Sequence, residues 1–246
     1  MKTAKTKRWG LTIFWLGVLL ALLALISRQG QAGAGAWWAA DECKMAARLG
    51  ATACAILLWF RTQALISARG NVPGIVDALH LWSEPWNDSL RARPRLTNGM
   101  LIVSSALIDL FGLFLLGAGI WGPTMRPFLA LLLVFVFRQV CQVTCALPTP
   151  PKMIWHHPGF PSLLVTYGVA NDFFISGHTA IAVLGAIEIA RICPWWWGVA
   201  AGLIALGEAA MVIVLRAHYT MDVLAAATAA WCAAQLALSL SLALGI

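Results

Sequence analysis

Charge is what this 246-residue chain has least of: 11% of its residues are Asp, Glu, Lys or Arg, 61% are hydrophobic, and the mean hydropathy is +0.80. A soluble domain carries roughly 25% charged residues, so too little polar surface is present to coat a globule in water. That excludes a disordered chain, a coiled coil and a secreted disulfide scaffold. Also lacking is any CxxC pair or Cys/His grouping at metal-binding spacing. The six cysteines, Cys43, Cys54, Cys141, Cys145, Cys193 and Cys232, read as small buried hydrophobes, and no metal or cofactor is expected. A non-catalytic transporter is disfavoured because no repeat with broken helices in corresponding halves is evident. The net charge of +7 would suit an acidic partner, yet Lys and Arg sit in clusters that flank apolar segments, the pattern of a membrane orientation signal. No nucleic-acid partner is expected.

What is present is hydrophobic runs. A bilayer core is crossed by about 20 apolar residues in a helix, and seven such runs occur, at 9–27, 47–67, 98–121, 125–147, 175–193, 196–215 and 220–243. The expected fold is all-α: a polytopic transmembrane bundle with a six-helix core and one added N-terminal helix. Residues 1–34 read as a signal-anchor-like segment, with a retained helix favoured over a peptide cleaved near Ala32-Gly33-Ala34; residues 45–246 read as the six-helix domain. Trp37, Trp38, Trp121 and Trp195, Trp196 and Trp197 stand at segment ends as interfacial anchors. Ile75, Val76, Leu79 and Trp82 recur at helical spacing, so an interfacial helix is expected near 74–83, ahead of Pro85. His80 reads as a polar-face residue of that helix. The connection 148–174 is long enough to hold functional structure. The expected localisation is an integral, multi-pass one: an inner membrane in a bacterium, an endomembrane in a eukaryote. Self-association is left open.

Ionisable groups in a bilayer cost several kcal/mol unless paired or hydrated, so each is a candidate functional residue. They are Arg61, Asp109, Arg138, Glu188 and Glu208, with Asp172, His178, Arg216, His218 and Asp222 at helix ends. Asp172, Ser176, Gly177, His178 and Thr179 open the fifth run; Arg216, His218, Tyr219 and Asp222 open the seventh. One complete helix lies between, so both histidines face the same side of the membrane. His218 and Asp222 are four residues apart, one helical turn, where a carboxylate orients an imidazole. With His178, this supplies a nucleophile and a proton donor for phosphoryl transfer through a covalent intermediate. Read blandly, Ser176-Gly177-His178 is a helix cap and His218–Asp222 a satisfied polar pair; their occurrence on one face favours chemistry.

These blocks resemble the sphingomyelin synthase-type lipid phosphotransferases, relatives of the type 2 phosphatidic acid phosphatases. Arg138 followed by Leu147-Pro148-Thr149-Pro150 is similar to that family's Arg…LPxP block, Asp172 to Thr179 to its GDxxxSGHT block with Asn171 in place of glycine, and His218 to Val223 to its HYTxDV block. Plant phosphatidylcholine:diacylglycerol cholinephosphotransferases share the three blocks in this order and resemble the chain through most of 45–240. The typical phosphatase signature is not matched. The resemblance implies His218 as nucleophile, Asp222 as its orienter and His178 as acid and then base, without metal. It implies a phospholipid donor of a phosphocholine- or phosphoethanolamine-type headgroup and a diacylglycerol or ceramide hydroxyl as acceptor. A lipid phosphate phosphatase is the alternative.

The supporting residues carry two readings each. Asp172 positions His178 or the headgroup amine, or is a solvated cap; Ser176, Tyr219 and Arg216 belong to the same blocks. Arg138 lies nine residues inside Leu147, about 13 Å deep, and Glu188 and Glu208 count to a comparable depth. A buried charge cluster of the three is favoured over a phosphate-facing Arg138. His156 and His157 read as exposed loop residues, and Asn87-Asp88-Ser89 as a chance sequon. The positive-inside rule applied to Lys2, Lys5, Lys7 and Arg8, with seven spans, puts both histidines on the cytoplasmic side; the resemblance implies the exoplasmic side.

Overall fold

The computed structural model describes residues 74–165, 167 and 173–244, together with Leu57 and Arg61. The anchor at 1–34, the run at 9–27, most of the run at 47–67, Trp37, Trp38, Cys43, Cys54 and Asp172 lie outside the described residues. The chain divides into two units, Met1–Ile75 and Val76–Ile246, and the elements below belong to the second.

Among the described residues every regular element is a helix: α1 (Ala78–Trp82), α2 (Glu84–Arg91), α3 (Pro94–Trp121), α4 (Arg126–Thr144), α5 (Gly177–Ile192), α6 (Trp195–Val214) and α7 (Thr220–Leu244). Prolines punctuate them. Pro85, Pro94 and Pro127 fill the first turns of α2, α3 and α4, where a missing N–H costs nothing. Pro148, Pro150 and Pro151 keep the chain extended beyond the end of α4. The helix expected near 74–83, ahead of Pro85, is α1, and a second short helix, α2, follows it with Pro85 in its first turn.

Among the described residues, four helices are long and apolar enough to cross a membrane: Pro94–Trp121, Arg126–Thr144, Trp195–Val214 and Thr220–Ala243. The protein is thus an all-helical membrane bundle. The run expected at 175–193 forms α5, whose 16 residues rise about 24 Å, less than a hydrocarbon core of about 30 Å. Arg191, exposed Trp121 and exposed Trp195, Trp196 and Trp197 mark one interface.

Helix α5 is the hub, packed against α3, α4, α6 and α7. Its Ala180, Ile181, Leu184 and Gly185 are buried, and they meet Ile108, Phe111 and Leu115 of α3 and Ala130 and Val134 of α4. On α7 the small residues Ala226, Ala230, Ala233, Ala234 and Ala237 form the buried stripe, which lets neighbouring backbones approach closely in the absence of a hydrophobic drive between helices. Large apolar side chains such as Leu110, Val136, Leu203, Leu206 and Trp231 face outward toward lipid. Cys145 and Cys232 are exposed and Cys141 and Cys193 half-buried, which corrects the expectation that the cysteines are buried: their positions fall on outward faces of α4 and α7 or at helix ends.

The expected charge cluster of Arg138, Glu188 and Glu208 does not form. Glu188 is fully buried and bonds Arg126 at 2.7 Å and Arg191 at 2.9 Å, at the end of α5 away from His178. Glu208 accepts a 2.6 Å bond from the Ser104 hydroxyl of α3. Asp109, near the middle of α3, accepts the backbone N–H groups of Leu163 and Leu164 at 2.8 and 2.9 Å. Leu163 and Leu164 of the 148–174 connection thus lie against α3 with their backbone satisfied by a side chain, the condition for irregular chain at membrane depth.

Gly185 has no room for a side chain: a Cβ there would lie 2.3 Å from the Phe111 ring of α3. Gly185→Leu is expected to destabilise the bundle by about 1–3 kcal/mol, seen as a lowered unfolding midpoint in detergent micelles. Gly207→Leu, where nothing lies within 4 Å of the added Cβ, leaves the midpoint unchanged.

Candidate active site

The two histidines are brought together at one end of the bundle by the starts of α5 and α7. Ser176 caps α5: its Oγ accepts the Thr179 N–H at 3.3 Å and the Thr179 hydroxyl at 3.1 Å. Its own N–H donates to the Asp222 backbone carbonyl at 3.2 Å, which stitches the first turn of α5 to that of α7. In α7, Tyr219 is the cap and Asp222 the third helical residue, and Asp222 Oδ2 accepts the Tyr219 N–H at 3.0 Å. That reach-back is half of a capping box. It holds the carboxylate beside His218, with Asp222 Oδ2 3.5 Å from His218 Nδ1.

That separation is long for a hydrogen bond, and unliganded sites commonly show such contacts before substrate tightens them. Among the described residues, six buried side-chain polar atoms have no hydrogen-bond partner: Ser83 Oγ, Asn87 Oδ1, His178 Nε2, Arg216 Nε, His218 Nδ1 and Asp222 Oδ1. Three of the six belong to His178, His218 and Asp222. The Trp155 indole meets the His178 ring edge-on at 5.0 Å. Helix N-termini carry partial positive charge, so the starts of α5 and α7 both favour an anion here.

Each histidine follows a residue in the left-handed region. Ile175 has φ 64° and Arg216 φ 56°; for a β-branched residue such as Ile175 this is a strained conformation, costing on the order of 1–3 kcal/mol. An arginine secures each turn. Arg138 Nε donates to the Ile175 carbonyl at 3.1 Å, and Gly177 lies so close that a Cβ would touch the guanidinium at 3.6 Å. Arg216 donates through Nη1 to the Pro151 carbonyl and through Nη2 to the His80 carbonyl, both at 3.0 Å. The arrangement can present two imidazoles and a guanidinium to a phosphate group.

Sequence reasoning missed a clamp supplied by the interfacial helices. Asp77 Oδ1 caps α1 by accepting the Leu79 N–H, and the same carboxylate accepts the Thr220 N–H and hydroxyl of α7, each at 2.6 Å. His80, buried, donates its Nε2–H to the His218 carbonyl at 3.0 Å and stacks on Tyr219. Tyr219 donates its hydroxyl to the Pro148 carbonyl at 3.1 Å. Asn87 donates to the Val214 carbonyl at 2.8 Å and is fully buried, so the sequon is part of the packing. The buried placement of His80 overturns its reading as a polar-face residue. The signal that could have found Asp77 is its position two residues before a helix-forming run; nothing local pointed to its second helix.

Glu188, at the far end of α5, and Glu208, held by Ser104, do not join the histidines. His156 bonds Asn98 at 2.7 Å and, with His157, is exposed, as expected. No grouping of three His, Cys, Asp or Glu able to hold a metal occurs among the described residues.

The fold is that of an integral-membrane protein, and the family match makes it a lipid-metabolising transferase. Residues 76–239 match the AtPDCT1/2 family, the phosphatidylcholine:diacylglycerol cholinephosphotransferases, and the chain belongs to that family. No curated protein and no solved structure matches it.

Burial raises the Asp77 carboxyl, but the bonds from Thr220 and the nearby His80 outweigh it and hold it below 3.8. Its contribution to stability is present above that value and lost as pH falls through the depressed one. Asp77→Ala removes two caps worth about 0.5–2 kcal/mol each, so thermal unfolding in micelles shifts down at neutral pH and loses part of its dependence on pH below about 4. Burial likewise holds His80 below 6.5; the folded state takes up fewer protons than the unfolded one, so wild-type stability falls as pH drops below 6.5 and His80→Gln flattens that slope.

Proposed function

We propose that the protein moves phosphocholine from a phospholipid to a lipid hydroxyl, diacylglycerol in the first instance, through a phosphohistidine on His218. The observation that carries this reading is the buried His178, His218 and Asp222 set with an unpartnered polar atom on each member, in a chain of the cholinephosphotransferase family. The transferase domain is taken as 45–246, with 1–34 as an added anchor, and the relation to the type 2 phosphatidic acid phosphatases belongs to the same proposal.

In the first half-reaction His218, its Nδ1–H directed at Asp222, attacks phosphorus through Nε2. The N–P bond forms, the bond from phosphorus to the glycerol oxygen breaks, and protonated His178 gives its proton to the departing diacylglycerol oxygen. In the second half-reaction His178, now neutral, takes the proton of the acceptor hydroxyl, whose oxygen attacks phosphorus and releases His218. Arg138, against Gly177, faces the phosphate oxygens as charge shifts onto them. Ser176 and Arg216 act through the turns they hold, Tyr219 through its cap and its bond to the loop. Asp172 is kept as a candidate for positioning His178 or the headgroup amine.

The test is headgroup exchange in vesicles. Purified protein receives choline-labelled phosphatidylcholine and a diacylglycerol of distinct acyl mass, and lipid products are read by mass spectrometry; ceramide in place of diacylglycerol tests the wider acceptor. His218→Ala reduces transfer to background, and His178→Ala lowers it about 10²–10⁴-fold. Transfer that persists in His218→Ala overturns the mechanism. Release of phosphate or phosphocholine into water as the sole product overturns the transferase reading in favour of hydrolysis.

A further inference from the structure

Helices α4 and α7 run antiparallel, since α4 ends and α7 begins at the catalytic end of the bundle. Between them lies a groove of about 740 Å³, within the range of about 300–1,000 Å³ that holds small ligands. Phe137 and Val140 of α4 and Met221, Leu224, Thr228 and Cys232 of α7 form its walls, and among the described residues that line it only Thr228 and Cys232 carry a polar side-chain group. We infer that this groove seats one acyl chain of the glycerolipid whose headgroup is transferred. The inference rests on the transferase reading above and assigns the site's lipid-chain subsite.

Three observations point to this occupant. First, the groove is continuous with the site: Met221 precedes Asp222, and Phe137 adjoins Arg138, whose Nε holds the turn before His178. Second, its direction and length fit. From Met221 to Leu236 the α7 wall rises roughly 22 Å, more than the half of a hydrocarbon core of about 30 Å that makes one leaflet, so the groove is long enough for the acyl chain of a lipid whose headgroup is at His218. Third, its chemistry fits. Leu133, Val136, Phe137, Val140, Leu224 and Leu236 line it, and an acyl chain is a ligand that needs no polar partner along its length. Donor phospholipid and product diacylglycerol carry the same chain, so one groove serves both sides of the glycerol bond that breaks.

Thr228 and Cys232 stand seven and eleven residues beyond Met221, about 10 and 16 Å down the groove. Donor phosphatidylcholines of increasing acyl length then act as a ruler. Thr228→Trp is expected to lower kcat/KM for sixteen- to eighteen-carbon donors by about tenfold or more while sparing six-carbon donors, and Cys232→Trp to penalise only the longer part of the series. Leu203→Trp, on the outward face of α6 where Leu203 is 64% exposed, leaves the profile unchanged. A loss equal across all lengths, or no loss, overturns the groove.

A second readout needs no turnover. Phosphatidylcholine with a diazirine at the acyl terminus is photolysed with wild type and with His218→Ala in vesicles, and crosslinked peptides are mapped. Enrichment around Cys232 and Leu236 over Leu203 and Leu206 supports the groove, even where wild type shows no headgroup transfer, a result that overturns the transferase reading alone. Crosslinks spread evenly over both faces overturn the groove.

Discussion

A polar group buried in a bilayer must find a partner inside the protein, because lipid offers none. That requirement organises this structure. Glu188 sits between two arginines, Glu208 against a serine, and Asp109 under two backbone N–H groups of the loop. Against these satisfied carboxylates, the unpartnered atoms of His178, His218 and Asp222, three of the six among the described residues, stand out because they lie together. Buried polar atoms of this kind are costly, on the order of 1–3 kcal/mol each, and a site that receives a phosphate group can recover that cost when the phosphate is bound.

Holding the site open in that way takes support from outside it. The strained turns at Ile175 and Arg216 aim the two histidines, and each persists because an arginine bonds a neighbouring carbonyl. The second support is the α1 clamp, in which one carboxylate, Asp77, caps two helices that meet only in the folded protein. His218 is thus fixed from three sides: by Asp222 below, by His80 on its own carbonyl, and through Thr220 by Asp77. Backbone position is over-determined while the imidazole nitrogens stay available, which is how a scaffold preorganises a nucleophile without consuming it.

His178, His218 and Asp222 could be read from the chain because their relations are local: a cap three residues long and a pair one turn apart carry their geometry in their spacing. Asp77, His80 and Asn87 could not, since each bonds a residue more than a hundred positions away. The charge cluster failed for a different reason. The expectation treats Leu147, His178 and His218 as lying at one level, whereas Arg138 itself is level with the turn before His178, whose Ile175 carbonyl it bonds. Arg138 therefore lies near the catalytic end, and Glu188, ten residues along α5, near the opposite one. Depth also says nothing of direction around the helix axis, and Glu208 faces Ser104 of α3, not Arg138.

The burial of the two histidines bears on the choice between transfer and hydrolysis. A covalent phosphohistidine reacts with whichever hydroxyl reaches it, and water is far more concentrated than any lipid, so transfer to lipid requires that water be kept out. His178 and His218 are each 8% exposed, under a loop tied down by Tyr219 to Pro148, Ile154 to Leu215 and Asp109 to Leu163. On the proposed reading, that cover is what lets a lipid hydroxyl, and not water, resolve the phosphohistidine.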